Sequence, residues 1–177
     1  TTPEAFFAQL YANAAVAAFG AQDVPVGRRR PRAVANTRTN EVGEFELRIA
    51  NAGAYRVEAV AKNYASSAMD AGMLNEQRAS ATLSLELSSG AQIAGRVTEL
   101  GSSLPISGIL VTSSDMRHQA NTDDNGDYVL TGLNIGEYEV SVDLTNTSFK
   151  AGKTLPFQKV QITAADQEMR NVDFQLD

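Results

Sequence analysis

The 177-residue chain has no cysteine, no tryptophan and a single histidine, His118. Without cysteine, disulfides, thiolate catalysis and cysteine metal sites are excluded together. Without tryptophan, the case for a stacking platform under a ligand ring is weaker. One histidine cannot furnish a multi-histidine metal centre. No apolar run approaches the ~18 residues that a membrane-spanning helix needs. Residues 1–30 show no basic start followed by an apolar core, so no secretory leader is read there, and a chain opening at Thr1 without Met reads as a mature or excised piece. Positive charge is scarce in one half. Residues 1–90 hold nine Lys/Arg and nine Asp/Glu, whereas residues 91–177 hold six and twelve. An acidic half repels phosphates, which argues against nucleic acid as a partner. What remains is ordinary globular material, 43% apolar and 20% charged.

Within that material a repeat stands out. Thr39-Asn-Glu-Val-Gly-Glu-Phe45 and Thr122-Asp-Asp-Asn-Gly-Asp-Tyr128 lie 83 residues apart, and the same offset carries Gly53-Ala-Tyr55 onto Gly136-Glu-Tyr138. Two motifs in one register divide the chain into a copy at 1–90 and a copy at 91–177, with Ser88-Ser-Gly90 as a short joint. Such a joint predicts modules set end to end with little bending. Inside each copy the apolar residues alternate with period two, which predicts strands with one buried face. Phe45, Leu47 and Ile49 form one such series, and Tyr55, Val57 and Ala59 the next, across a turn at Asn51-Ala-Gly53. Tyr128 and Leu130, then Tyr138, Val140, Val142 and Leu144, repeat the scheme. Leu83, Leu85 and Leu87 close the first copy; Val172, Phe174 and Leu176 close the second. Short strands separated by turn signals predict an all-β sandwich. Phe45, Tyr55, Tyr128, Tyr138 and Phe174 fall on the core phase, where burying a ring contributes ~1.5–3 kcal/mol. Ser66 to Arg78 reads either as a helical turn or as a loop over a sandwich edge.

The second copy, through Ile93-Ala-Gly-Arg-Val97, Pro105-Ile-Ser-Gly-Ile-Leu-Val111, Asn121-Thr-Asp-Asp-Asn-Gly-Asp-Tyr128 and Leu133-Asn-Ile-Gly-Glu-Tyr-Glu-Val140, resembles the carboxypeptidase regulatory-like domain. That domain is a transthyretin-like (prealbumin-like) sandwich related to the Cna protein B-type domain. The resemblance extends over roughly 33–87 of the first copy, with Ala12-Asn-Ala-Ala-Val16 matching the strand around Val111. It implies two tandem Ig-like/prealbumin-like antiparallel β-sandwich modules, non-catalytic, in a bacterial secreted, cell-surface or periplasmic protein. A structural, adhesive or spacer role follows; the alternative is a carbohydrate-binding accessory module of a secreted enzyme or an outer-membrane uptake system. Partners would be other domains of the same polypeptide, a surface protein or a glycan, with no membrane insertion and a monomeric isolated piece. The strand matching Ile93–Val97 has no counterpart in the first copy, where register would place it at or before residue 1. Either residues 1–12 replace it or the copy is cut short. Thr2-Pro3-Glu4 reads equally as a helix start. The Lys–Asn isopeptide bond frequent in Cna B-type domains is not expected, because the opening strand Gln92–Thr98 offers Arg96 but no Lys, and the strand beginning at Tyr138 has no Glu beyond Glu139.

Among residues able to do chemistry, Asp123, Asn125 and Asp127 alternate like the opening of a calcium loop, where hard oxygens converge on a hard ion. The twelfth position from Asp123 is Asn134 and supplies no bidentate acid. Asp, Asn and Gly are equally what a tight turn requires. Apart from that calcium reading, no cofactor is expected. Arg28-Arg-Arg-Pro-Arg32 is the only charge run, and Arg28, Arg29, Arg30 and Arg32 are read either as contacts for phosphates, acidic glycans or an acidic partner, or as a solvated loop. Tyr64 and Phe149, each after a core strand, are candidate stacking positions at module ends. Phe6, Phe7 and Tyr11 cluster where no repeat partner exists, and are read as a plug for the first sandwich or a dock for a preceding domain. A Ser–His–Asp triad through His118 is formally open, yet no Gly-x-Ser-x-Gly elbow and no Gly-rich phosphate loop is present. His118 is read as exposed and idle, and no enzyme activity is expected.

Overall fold

The computed structural model describes residues 13–21, 31–145, 147–149 and 157–177. By its internal contacts the chain divides into two compact units, Thr1–Ser88 and Ser89–Asp177. Each unit has its own core cluster. The described residues contain strands and no helix, so the chain is all-β.

In the first unit β1 (Ala15–Gly20), β2 (Ala35–Arg38), β3 (Gly53–Val60) and β4 (Ser67–Leu74) form one antiparallel sheet in the order β2-β1-β3-β4. The second unit has β5 (Ala91–Glu99), β6 (Leu110–Ser113), β7 (Gln119–Asn121), β8 (Asp127–Leu133), β9 (Gly136–Asp143), β10 (Phe157–Ile162), β11 (Glu168–Met169) and β12 (Phe174–Leu176). Its first sheet runs β10-β9-β6-β7. Across the core, β5 pairs with β8 on one side and with β11 and then β12 on the other.

The two ladders correspond, with an offset of 83 for β2/β7 and β3/β9 and of 95 for β1/β6. Val16 lies opposite Ala59 and Thr37 in the first unit, and Val111 lies opposite Val142 and Ala120 in the second. The sheet β4-β3-β1-β2 thus has the same strand order as β10-β9-β6-β7. The aromatic residues assigned to the core by phase, Phe45, Tyr55, Tyr128, Tyr138 and Phe174, are all buried.

Several expectations are corrected. The second unit is not wholly antiparallel: β5 runs parallel to β11 and β12, because the chain crosses the sandwich before returning to the edge of β5. Ser66 to Arg78 is neither helical turn nor loop. It holds edge strand β4, whose pairing with β3 shifts register beside Tyr55. Gly72 there has φ +73°, and Ala71 is buried while Met69 and Met73 are exposed. A bulge of this kind interrupts the period-two pattern, which is why the strand was illegible. Leu47 and Ile49, and Leu83, Leu85 and Leu87, keep the alternation of burial, but residues 46–50 and 81–87 belong to no strand. The expected helix start at Thr2-Pro3-Glu4, the Phe6/Phe7/Tyr11 cluster, and Arg28, Arg29 and Arg30 lie outside the described residues.

Candidate functional site

The repeated motif residues are spent on the backbone. Thr39 is buried and its Oγ1 accepts the Ala14 N–H at 2.8 Å. Its counterpart Thr122 accepts the Ile109 N–H at 2.9 Å and donates its hydroxyl proton to the Ile106 carbonyl at 2.7 Å. Each threonine therefore ties the segment entering β1 or β6 to the turn that follows β2 or β7, and satisfies groups that would otherwise be buried unpaired.

The acid and glycine positions build the turn itself. Asn40 Oδ1 accepts the N–H groups of Val42 and Glu44, at 3.1 and 2.9 Å. Asp123 Oδ1 does the same for Asn125 and Asp127, at 2.8 and 2.9 Å. Gly43 and Gly126 complete the two turns at φ +84° and +74°, a conformation in which a Cβ is strained. A Cβ on Gly126 would also stand 2.4 Å from the Val97 carbonyl oxygen. Past each turn a tyrosine closes the next corner. Tyr55 Oη donates to the Asn51 carbonyl at 2.8 Å, and Tyr138 Oη to the Asn134 carbonyl at 3.1 Å. These two carbonyl acceptors had no signal in the sequence beyond their shared offset.

Of the calcium candidates, Asp123, Asn125 and Asp127 sit together on this turn with exposed or half-buried side chains. Asp127 is engaged by Arg96, with Nε–Oδ1 at 2.6 Å and Nη2–Oδ2 at 3.0 Å. That hydrogen bond holds the Asp127 carboxyl below its ordinary pKa. Among the described residues no group of three or more His, Asp or Glu side chains is placed to hold a metal ion.

The histidine differs from its sequence reading. His118 is half-buried, its Nδ1 lies 2.9 Å from the Thr131 carbonyl oxygen, and its ring meets Tyr138 edge-on with centroids 6.1 Å apart. Its Nε2 lies 3.5 Å from Asp115 Oδ2, while Ser113 Oγ donates to Asp115 Oδ1. Burial alone would raise the Asp115 pKa. Hydrogen bonds from His118, the Ser113 hydroxyl and the Arg117 N–H outweigh that and hold the carboxyl well below the usual carboxylate range. Ser, His and Asp are therefore neighbours, but the carboxylate stands between the other two. A nucleophilic serine needs the histidine within reach of its hydroxyl. Here Ser113 Oγ gives its proton to Asp115 and is fully buried. The cluster ties the β6–β7 connection to β8 and β9.

The remaining candidates are scattered. Tyr64 is half-buried in the first unit. Phe149 is half-buried and packs against the core of the second. Arg32 is exposed. In the first unit an open cleft of about 840 Å³ lies between β2 and residues 44–48, lined among others by Thr37, Arg38, Phe45 and Arg48. No helix of the described residues is long and apolar enough to cross a membrane.

Residues 92–177 match the family model of the carboxypeptidase regulatory-like domain, which bears out the resemblance read in the second copy over those residues. Comparison with curated proteins gave no match. Among solved structures, the chain is similar to the TIE protein of Bacillus anthracis, with 11% identity, 94% of this chain and 31% of that chain covered, and a TM-score of 0.42. It is similar to the minor pilin GBS52 of Streptococcus agalactiae, with 12% identity, 99% and 89% coverage and a TM-score of 0.41. A shaft pilin of Lactobacillus rhamnosus GG has 8% identity, 94% and 88% coverage and a TM-score of 0.40. Scores of this size carry no argument about function.

Proposed function

We propose that the chain is a non-catalytic structural or adhesive module pair within a larger secreted or cell-surface protein. One observation carries this reading. The motif residues best suited to chemistry, Thr39, Asn40, Thr122, Asp123 and Asp127, use their side chains to hold the turns and the opening strand. The single histidine is likewise committed to a carbonyl and a carboxylate. The family match over 92–177 is consistent with such a role. A carbohydrate-binding role would call on Tyr64 and Phe149, and Phe149 is packed against its core, which leaves less ring for a sugar to stack on.

The test is a glycan-array screen of the 177-residue chain, run with calcium and again with chelator. A blank array under both conditions is the expected result. Reproducible binding to one sugar class, abolished by Tyr64→Ala or Phe149→Ala, would replace this reading with the accessory-module one.

A further inference from the structure

Asn125-Gly126 is the chain's single Asn-Gly pair, and the fold does not call for its asparagine. The offset of 83 sets Val42-Gly43 at the same place in the first unit. The two turns are built alike. Gly43 N–H donates to the Asn40 carbonyl at 3.1 Å and Gly126 N–H to the Asp123 carbonyl at 2.9 Å, while the Asn40 and Asp123 side chains hold the flanking N–H groups. Val42 is 72% exposed, and Asn125 is exposed as well. Valine serves this position in the first unit, and among the described residues the Asn125 side chain has no hydrogen-bond partner.

An asparagine ahead of a glycine can modify itself. The glycine nitrogen has no neighbouring Cβ to shield it, and it attacks the asparagine Cγ when the peptide between them turns so that the two atoms meet. In the folded turn Gly126 is not free to turn. Its N–H is bonded to Asp123, and its carbonyl oxygen accepts the Val97 N–H at 2.8 Å. A Cβ built on it would stand 2.4 Å from the Val97 carbonyl oxygen and 3.2 Å from the Ile106 nitrogen. The glycine is thus clamped between its own turn and β5, while the side chain it would attack stands in solvent.

We propose that Asn125 is a self-modification site gated by the fold, closed while Gly126 is clamped and open when the turn releases it. On release the Gly126 nitrogen bonds to Asn125 Cγ, and the side-chain nitrogen leaves as ammonia, taking the Gly126 N–H proton with it. Water then opens the resulting succinimide at either carbonyl, leaving aspartate or isoaspartate. Isoaspartate carries the main chain through its side-chain carbon and so lengthens the backbone between Asp123 and Gly126. Gly126 then no longer meets Asp123 and Val97 together. The second unit thereby keeps an irreversible record of having opened at this corner.

The test compares the full chain in native buffer and in guanidinium chloride at one mildly alkaline pH. Amide-to-acid conversion at Asn125 is followed by mass spectrometry of the tryptic peptide 118–150, and isoaspartate by enzymatic methyl labelling. In denaturant, conversion at Asn125 is expected to outpace that at every other asparagine. In the native chain it is expected to be slower by roughly tenfold or more, since a reaction that needs local opening follows the open population. That slowing is expected to match, to about an order of magnitude, the protection of the Gly126 amide against hydrogen exchange, because one opening exposes both. Asn125→Val, the first unit's residue, is expected to abolish the product and leave the melting of the second unit unmoved. Equal rates at Asn125 in the native and denatured chains would overturn the proposal. So would a freely exchanging Gly126 amide beside an unreacted Asn125, or an isoaspartate-containing chain whose second unit melts as the unmodified one does. A loss of stability in Asn125→Val would count against it equally, by giving the asparagine a place in the fold.

Discussion

Thr122 illustrates how a single hydroxyl can carry a strand entry. Thr122→Val keeps the shape but leaves the Ile109 N–H and the Ile106 carbonyl without their partner. Urea unfolding of the second unit is expected to show a loss of ~1–3 kcal/mol, the usual cost of an unsatisfied buried group. Tyr138 separates ring from hydroxyl. Tyr138→Phe loses only the bond to the Asn134 carbonyl, ~1 kcal/mol, whereas Tyr138→Ala empties a buried site and costs ~3–5 kcal/mol. A loss below ~1 kcal/mol for the alanine variant would contradict its place in the core. Asp115 sets an acid limit. Its folded pKa is depressed, so its contribution is fully present above the ordinary carboxylate pKa of ~3.9 and fades as pH falls below that. Stability measured from pH 5 downward is expected to fall less steeply in Asp115→Asn, although that variant starts lower. The Asp123 turn is satisfied internally, so millimolar calcium is expected to leave the melting temperature unmoved. A specific site at a hundredfold its dissociation constant would raise the melting temperature by about 10 °C or more.

At the scale of elements, β5 and the run into β12 approach each other closely at Gly95. Gly95 lies under the Val172 carbonyl, and Tyr128 Oη donates to that same oxygen at 2.6 Å. Burial raises the Tyr128 pKa, with Asp173 adding to the effect, so the phenol remains a donor over the whole working range of pH. Gly95→Ala forces the two strands apart and is expected to destabilise the second unit by ~3 kcal/mol or more, read from denaturant midpoints. Serine in place of alanine is expected to do no better, since the obstruction is the Cβ itself. Edge strand β4 belongs to the same scale: its bulge at Gly72 breaks the alternation and leaves Met69 and Met73 outward.

For the whole molecule, the two separate core clusters imply that residues 89–177 carry what they need to fold. That segment alone is expected to give a dispersed amide spectrum and a cooperative thermal transition. A collapsed, non-cooperative product would show that the second unit depends on the first. Among the described residues the second unit shows two sheets, while the first shows one and two segments outside any ladder.

The alternating apolar residues, the turn chemistry and the offset of 83 were sufficient to specify an all-β chain, the core rings and the position of the turns. Each is a local signal, since period two and an Asn/Asp-x-x-Gly turn act within a few residues. Tertiary structure decided what no local pattern encodes. The parallel pairing of β5 with β12 depends on where a long connection lands. The role of Thr122 depends on a partner thirteen residues away. His118 read as exposed because its partners at Thr131 and Tyr138 come from other strands. The ion pair of Asp127 with Arg96, thirty-one residues earlier, likewise had no signal in the sequence, since the charge beside a carboxylate is set by folding.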